Sequence, residues 1–564
     1  MTLAPLLLGC LALFTVAHLV YGRLLSRWFG LDAKTTTPAH TQCDGIDYAP
    51  TGRFYLLSQH FSAISAAGPI AGPILACLAF GYAPSLLWIV LGCIVIGAMH
   101  DFAALVGSVR HGGRSVAAIM RQHLNGRVYV AFSLYIWLAL IYVITAFTDV
   151  TARAFVENLD VSLPDAQGGH LAVPGAGVAS SSMLYLGLGL LMGLVTKALR
   201  PPLWLNTVIF VPLVALAIWV GPHLPLDLRA EGAIPSRHWA WIILVYCGIA
   251  SVLPVWLLLQ PRGYLGGFFL YVMLFGGLLG IVLRNPAIEF PAYKGFVAGN
   301  GQTLVPFLFI TIACGACSGF HGLVCSGTTS KQIDREPDAH LVGYGGMLLE
   351  GVVALIALAC VMVLPAESNI ARLNPDKIFG YGVGRFLTAL GVPLQLAVTF
   401  GMLAFATFVY DTLDVCTRLA RYLFSEITGW RGRTAGLVGT VASLALPLWA
   451  TAQTITNARG VSVPAYQVIW PLFGSSNQLL AGLTLTGLLL WLGRTGKPRL
   501  LQVAVGLPAL FMLAVTMSAL WIQIRNPQAG TLLSSVGAVM LALAAWTTVE
   551  AALALRRRPA PAPA

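Results

Sequence analysis

Apolar stretches of bilayer-crossing length recur from one end of this sequence to the other, and no other feature restricts its fold so severely. A membrane helix needs roughly 17 to 25 consecutive apolar residues. Segments of that kind lie near 3–24, 61–80, 84–109, 128–148, 179–198, 203–220, 239–259 and 264–283, then near 304–325, 342–364, 394–423, 435–452, 472–493, 501–522 and 532–555. That is about fifteen predicted spans at this length criterion. Hydrocarbon offers the backbone no hydrogen-bonding partner, so such segments must be helical. With 57% hydrophobic and 10% charged residues, a water-soluble class is excluded. The fold class expected is an all-α polytopic membrane protein. The segments 149–178 and 284–303, rich in Asp, Glu, Gly and Pro, are too short for a separate folded domain. The first span lacks a basic leader and a small-residue cleavage site, and is expected to stay in place as a helix.

The net charge of +12 does not point to nucleic acid in a chain this apolar. With the N-terminus outside, alternate loops collect Arg23, Arg27, Lys34, Arg53, Arg110, Arg114, Arg121, Arg127, Lys197, Arg200 and Arg262. The same side gathers Lys331, Arg335, Arg418, Arg421, Arg431, Arg433, Arg494, Lys497, Arg499 and Arg556 to Arg558, most of the 33 basic residues. This bias predicts an external N-terminus and a cytoplasmic C-terminus, which ends in a basic cluster and a Pro/Ala stub.

Residues 303–332 turn from an apolar run into small and hydroxyl residues. Gly315, Gly319, Gly322 and Gly327 stand there with Ser318, Ser326, Thr328, Thr329 and His321. Glycine weakens a helix interior by roughly 1 kcal/mol, and this stretch is expected to be a helix lining a polar site. Close helix packing through small residues is the competing reading. The span from His60 carries two helix-breaking pairs, Gly68-Pro69 and Gly72-Pro73. A break there exposes a helix N-terminus whose amides favour an anion. Five spans later Pro254 marks a second interruption. Two interrupted helices five spans apart predict inverted repeats, about 59–222 and 237–424, in a ten-helix core over 59–424. Residues 1–58 precede this core, and 425–564 add further helices.

Ionisable residues inside spans are costly and usually functional. The candidates are His100-Asp101, Glu350, Asp411 and Asp414. Asp101 has Arg110 or a neighbouring loop as a local partner, and Asp414 has Arg418 four residues on. Glu350 and Asp411 have none nearby. Asp101, Asp411 and His321 are the expected proton-handling or substrate-facing groups. His18 is expected to be a packing residue. Cys314 and Cys317 form a C-x-x-C pair among small residues, which reads as packing; no metal or other cofactor is expected.

Several long stretches together resemble the carbon starvation protein A family. They are HFSAISAAGPIAGPILA from His60, Asp101-Phe102 with its basic loop, CGACSGFHGLVCSGTTSK from Cys314, GYGGMLLE (Gly343 to Glu350), DTLDVCTRLARY (Asp411 to Tyr422) and PLFGSSNQLLAG (Pro471 to Gly482). The resemblance implies an inner-membrane secondary transporter with a LeuT-like fold, taking up peptides or, with protons, pyruvate. Gln59, His100 and Ser330 depart from common family residues. Substrate is expected against Gly68, Pro69, Gly72 and Pro73, with Ser318, His321 and Asn477. Coupling of a proton or sodium ion is expected at Asp101, Ser326, Thr328, Thr329, Glu350 and Asp411, where Lys331 is a candidate to replace the cation. Partners are then a small molecule and the bilayer, with homo-oligomers open to the outer helices. A peptide carrier, a membrane sensor, an intramembrane enzyme and a channel are the rivals; no signalling domain or charge ring favours the second or last.

Overall fold

A computed structural model describes residues 2–123, 126–162, 170–231, 234–430, 432–456, 462–526 and 530–556. Among these, ten helices are long and apolar enough to cross a membrane, or eleven if the bent pair Arg53–Ile64 and Gly68–Phe80 forms one span. The ten include Leu3–Phe29, Tyr82–Arg110, Gly126–Ala154, His340–Met362 and Leu394–Thr428. The strands among the described residues form two small antiparallel hairpins in connecting segments, Leu159–Ser162 with His170–Val173 and Thr454–Thr456 with Ser462–Pro464. Arg431, Arg557 and Arg558, counted in the charge pattern, lie outside the described residues.

The chain breaks where small residues and proline allow it. The Arg53–Ile64 helix ends at Ser65, and Gly68–Phe80 starts anew at an angle of 45°. Pro69 sits in the first turn, where its missing N–H costs nothing. The helix runs on through Pro73, so only the first Gly-Pro pair marks a break. The expected span over 304–325 is likewise divided, into Leu304–Thr311 and Gly319–Gly327. Residues 312–318 leave the helical path there, so the stretch expected to stay helical is a discontinuity. Pro254 interrupts no helix: Arg237–Val252 ends before it and Leu259–Arg284 begins after it.

The two breaks lie side by side. A Cβ on Gly72 would stand 2.5 Å from the Thr311 carbonyl oxygen, so only glycine permits this approach of helix and broken backbone. Backbone groups freed at 312–318 find side chains. The Trp88 indole donates to the Ile312 carbonyl at 3.2 Å, and the Gln478 amide to the Ala313 carbonyl at 3.1 Å. Asn477 Oδ1 accepts from the Phe320 amide at 2.8 Å, capping the new helix.

Loops sort into two ends. At one, Thr37 donates to the Ile333 carbonyl at 2.6 Å, Arg110 pairs with Glu336 at 2.7 Å, Lys497 reaches the Phe29 carbonyl at 2.9 Å, and Arg418 meets Asp47 at 3.1 Å. At the other, Leu3 is bonded to Pro286, Ala83 to Ala292, and Lys377 to Glu157 at 3.2 Å. The basic loops that the charge pattern assigns to one side are thus joined to one another.

Candidate functional site

Beside the breaks, three helices bring together side chains that are far apart in sequence. His100 and Asp101 come from Tyr82–Arg110, His321 from Gly319–Gly327, and Glu350 from His340–Met362. Two π-helical stretches precede them, Gly92–Gly97 and His340–Gly345. Such wide turns rotate the face that follows and recur at functional sites. Asp101 accepts from His100 Nδ1 at 2.8 Å through one oxygen and lies 2.9 Å from His321 Nδ1 through the other. The second nitrogen of His321 stands 3.0 Å from Glu350 Oε2. All four side chains are fully buried.

The His321 ring therefore has a carboxylate oxygen at each nitrogen. A neutral imidazole has one N–H to offer, so the two approaches are both hydrogen bonds only if His321 is an imidazolium or one of the two carboxyls carries a proton. Asp101, His321 and Glu350 are thus placed closely enough to share a proton as a group. His60, from Arg53–Ile64, extends the cluster: its Nδ1 is 2.9 Å from Thr329 Oγ1 and its Nε2 is 3.9 Å from Cys325 Sγ.

Asp411 stands apart from this group. Arg262 Nε is 2.7 Å from Asp411, and Arg262 Nη1 is 2.8 Å from Asp414. Ser62 donates to Asp411, Tyr246 contacts Arg262, and the Tyr185 hydroxyl donates to the Arg262 carbonyl at 2.6 Å. Two carboxylates share one guanidinium in a fully buried position. The local partners expected for these acids are replaced. Arg418 pairs with Asp47 and with the carbonyls of Ala250 and Leu253 instead of Asp414, and Arg110 pairs with Glu336 instead of Asp101. Arg262, read from sequence as a loop residue, lies buried in the first turn of Leu259–Arg284. An arginine within a run of apolar residues was the available signal.

The remaining candidates surround the second break. Asn477 Nδ2 donates to Ser318 Oγ at 3.0 Å. Thr328 Oγ1 donates to the Val324 carbonyl at 3.1 Å, and Ser326 Oγ accepts from the Val116 amide at 3.3 Å. Gly68 opens onto a cavity of about 220 Å³ at the end of the molecule bearing Asn300 and Gln302, which also line it. A smaller gap bounded by Phe320, Leu323, Leu140, Phe473 and Asn477 follows. A third cavity, of about 90 Å³, lies beyond Leu323 at the basic-loop end. Phe473 is shared by the first two, and Leu140 and Leu323 by the last two, so the three lie in sequence past the Gly319–Gly327 helix.

Outside the spans, Asp47 lies at the basic-loop end, beside Arg418 and Tyr422. Burial works to raise its carboxyl, but the Lys331 and Arg418 cations and the Tyr422 hydroxyl outweigh it and hold the carboxyl below the usual aspartate value.

Comparison with known proteins gives the same picture. The model of the family "Carbon starvation protein CstA" matches residues 3–370 and 364–519. The peptide transporter CstA of Helicobacter pylori strain J99 is 29% identical, over 91% of this chain and 80% of its own length. That of Mycobacterium tuberculosis strain H37Rv is 33% identical over 88% and 72%. The pyruvate/proton symporter BtsT of Escherichia coli K12 is 28% identical over 93% and 82%. Among solved structures, an Eremococcus coleocola manganese transporter superposes with a TM-score of 0.51 at 15% identity, covering 91% of this chain and 99% of that one. This last likeness concerns the fold alone.

Proposed function

This chain belongs to the carbon starvation protein CstA family, a multi-pass bacterial membrane transporter and not an enzyme, and we propose that it is a symporter importing a small carboxylate, foremost pyruvate, with protons. The observation that carries the reading is His321 set between Asp101 and Glu350, fully buried beside two broken helices. A histidine shared by two carboxylates can hold and pass on a proton at little cost in rearrangement. A proton is therefore favoured over sodium as the coupling ion.

In this reading the chain has about fifteen spans, with a LeuT-like core of two inverted repeats over 59–424. Its basic loops face the cytoplasm, as the positive-inside bias requires. Gly68, Pro69, Gly72 and Pro73 form the outer approach, Ser318 and Asn477 the midpoint, and Asp101, His321 and Glu350 the proton-carrying unit. Thr329 acts through His60, Ser326 and Thr328 border the inner route, and Asp411 with Arg262 forms a second charged joint between moving parts. The outer helices offer a surface for homo-oligomers.

Uptake of labelled pyruvate into liposomes holding the purified protein tests this, with pH and sodium gradients imposed separately. Accumulation under an inward proton gradient alone is expected. Accumulation under sodium alone, at equal pH on both sides, would overturn proton coupling. A second reading, di- or tripeptide import, is favoured by the 220 Å³ outer cavity, which has room for a longer substrate. Competition by alanyl-alanine against pyruvate separates the two.

A further inference from the structure

Lys331 lines the inner cavity with two ring faces as its nearest partners, while Asp47 and Glu426 act on it from a longer distance. Its ammonium stands 3.8 Å from the centre of the Tyr422 ring and 5.3 Å from that of Tyr48. Among the described residues it forms no ion pair with a carboxylate. The acids nearby are engaged elsewhere: Asp47 with Arg418 and Tyr422, and Glu426 with the Ser115 hydroxyl at 2.5 Å. A cation so placed is stabilised by ring faces but keeps its three N–H donors available.

The rest of the wall suits an anion. Arg114 brings a second positive charge, and Ser326 Oγ, which accepts from the Val116 amide, retains a proton to donate. The volume of about 90 Å³ leaves room for a three-carbon acid. The cavity also continues the line of spaces that starts at Gly68.

We propose that this cavity binds the carboxylate of the transported molecule at the cytoplasmic end of its route, with the Lys331 ammonium as anchor. The proposal rests on the reading of the chain as a small-carboxylate importer. Lys331 is a binding residue here, and Glu426, held by Ser115, disfavours a second negative charge on the ligand. Monocarboxylates are thereby selected over dicarboxylates.

The test uses the full chain in inside-out vesicles. Cys43 is the one exposed cysteine and the other nine are buried, so Cys43→Ser with Leu423→Cys puts a single accessible thiol at the cavity wall. Its rate of maleimide labelling is measured with pyruvate, succinate and alanyl-alanine. Pyruvate is expected to slow labelling in the Lys331 protein. Lys331→Gln should raise the protecting concentration roughly tenfold to a hundredfold, as expected for loss of a charged hydrogen-bond donor, while Lys331→Arg keeps protection. Equal protection in Lys331→Gln, protection by alanyl-alanine alone, or none by any carboxylate overturns the assignment. Liposome uptake of pyruvate is measured on the same proteins. Uptake without protection rejects this cavity and leaves the transport reading standing; protection without uptake does the reverse.

Discussion

At the scale of single residues, the proposed role of the unit Asp101–His321–Glu350 can be tested by measuring proton-driven uptake apart from substrate exchange. Glu350→Gln keeps the volume and one hydrogen-bonding oxygen but removes the second charge that His321 faces. Pyruvate accumulation driven by a pH gradient is expected to fall at least about tenfold, the scale of one lost charged hydrogen bond. Exchange of labelled for unlabelled pyruvate across the same membrane should persist. Loss of both activities together would assign Glu350 to the fold instead. The members of the unit are recognisable in the sequence one by one, as ionisable residues in apolar spans. Their assembly is not, because Asp101 and His321 are 220 positions apart and no periodicity links them. Arg262 escaped for a related reason. It follows Pro254 so closely that it reads as a loop cation, whereas the helix resumes at Leu259 and turns it inward.

At the scale of elements, glycine and proline set where helices stop. Gly68-Pro69 announces its break, since proline is at ease only in a first turn. The break at 312–318 announces nothing. Its residues are mostly small and apolar, so hydropathy runs on across it, and the remote side chains of Trp88, Asn477 and Gln478 help make the exposed backbone tolerable. The contact between the two breaks is tight. A side chain at Gly72 would press on the Thr311 carbonyl and on Ile312 Cα at 3.3 Å, both backbone atoms with little room to yield. Gly72→Val is expected to destabilise by about 1–3 kcal/mol, seen as a lower unfolding temperature of the detergent-solubilised protein. Gly9→Ala, where nothing lies within 4 Å of the added methyl, should leave that temperature unchanged.

At the scale of the whole molecule, the basic loops are fastened to the helix bundle by ion pairs, and Asp47 is a joint whose strength depends on pH. Its carboxyl is held below the ordinary value, so the folded protein favours the ionised form. The stability it contributes is complete above the ordinary aspartate value of about 3.9 and drains away as the pH falls through the lowered one. Unfolding temperatures of the parent and of Asp47→Asn should therefore differ at pH 6 and converge toward pH 3. A gap that stays constant across this range would show that the pairing with Arg418 is not the source. The ring of His321 between two acids carries a last consequence, for the energetics of the cell. On the proposed reading one imidazole holds one transferable proton, and a monocarboxylate carries one negative charge. Each turnover then moves no net charge, so the membrane voltage neither assists nor opposes import. Such a carrier would keep scavenging in a starved cell whose electrical potential has collapsed, provided that a difference in acidity remains.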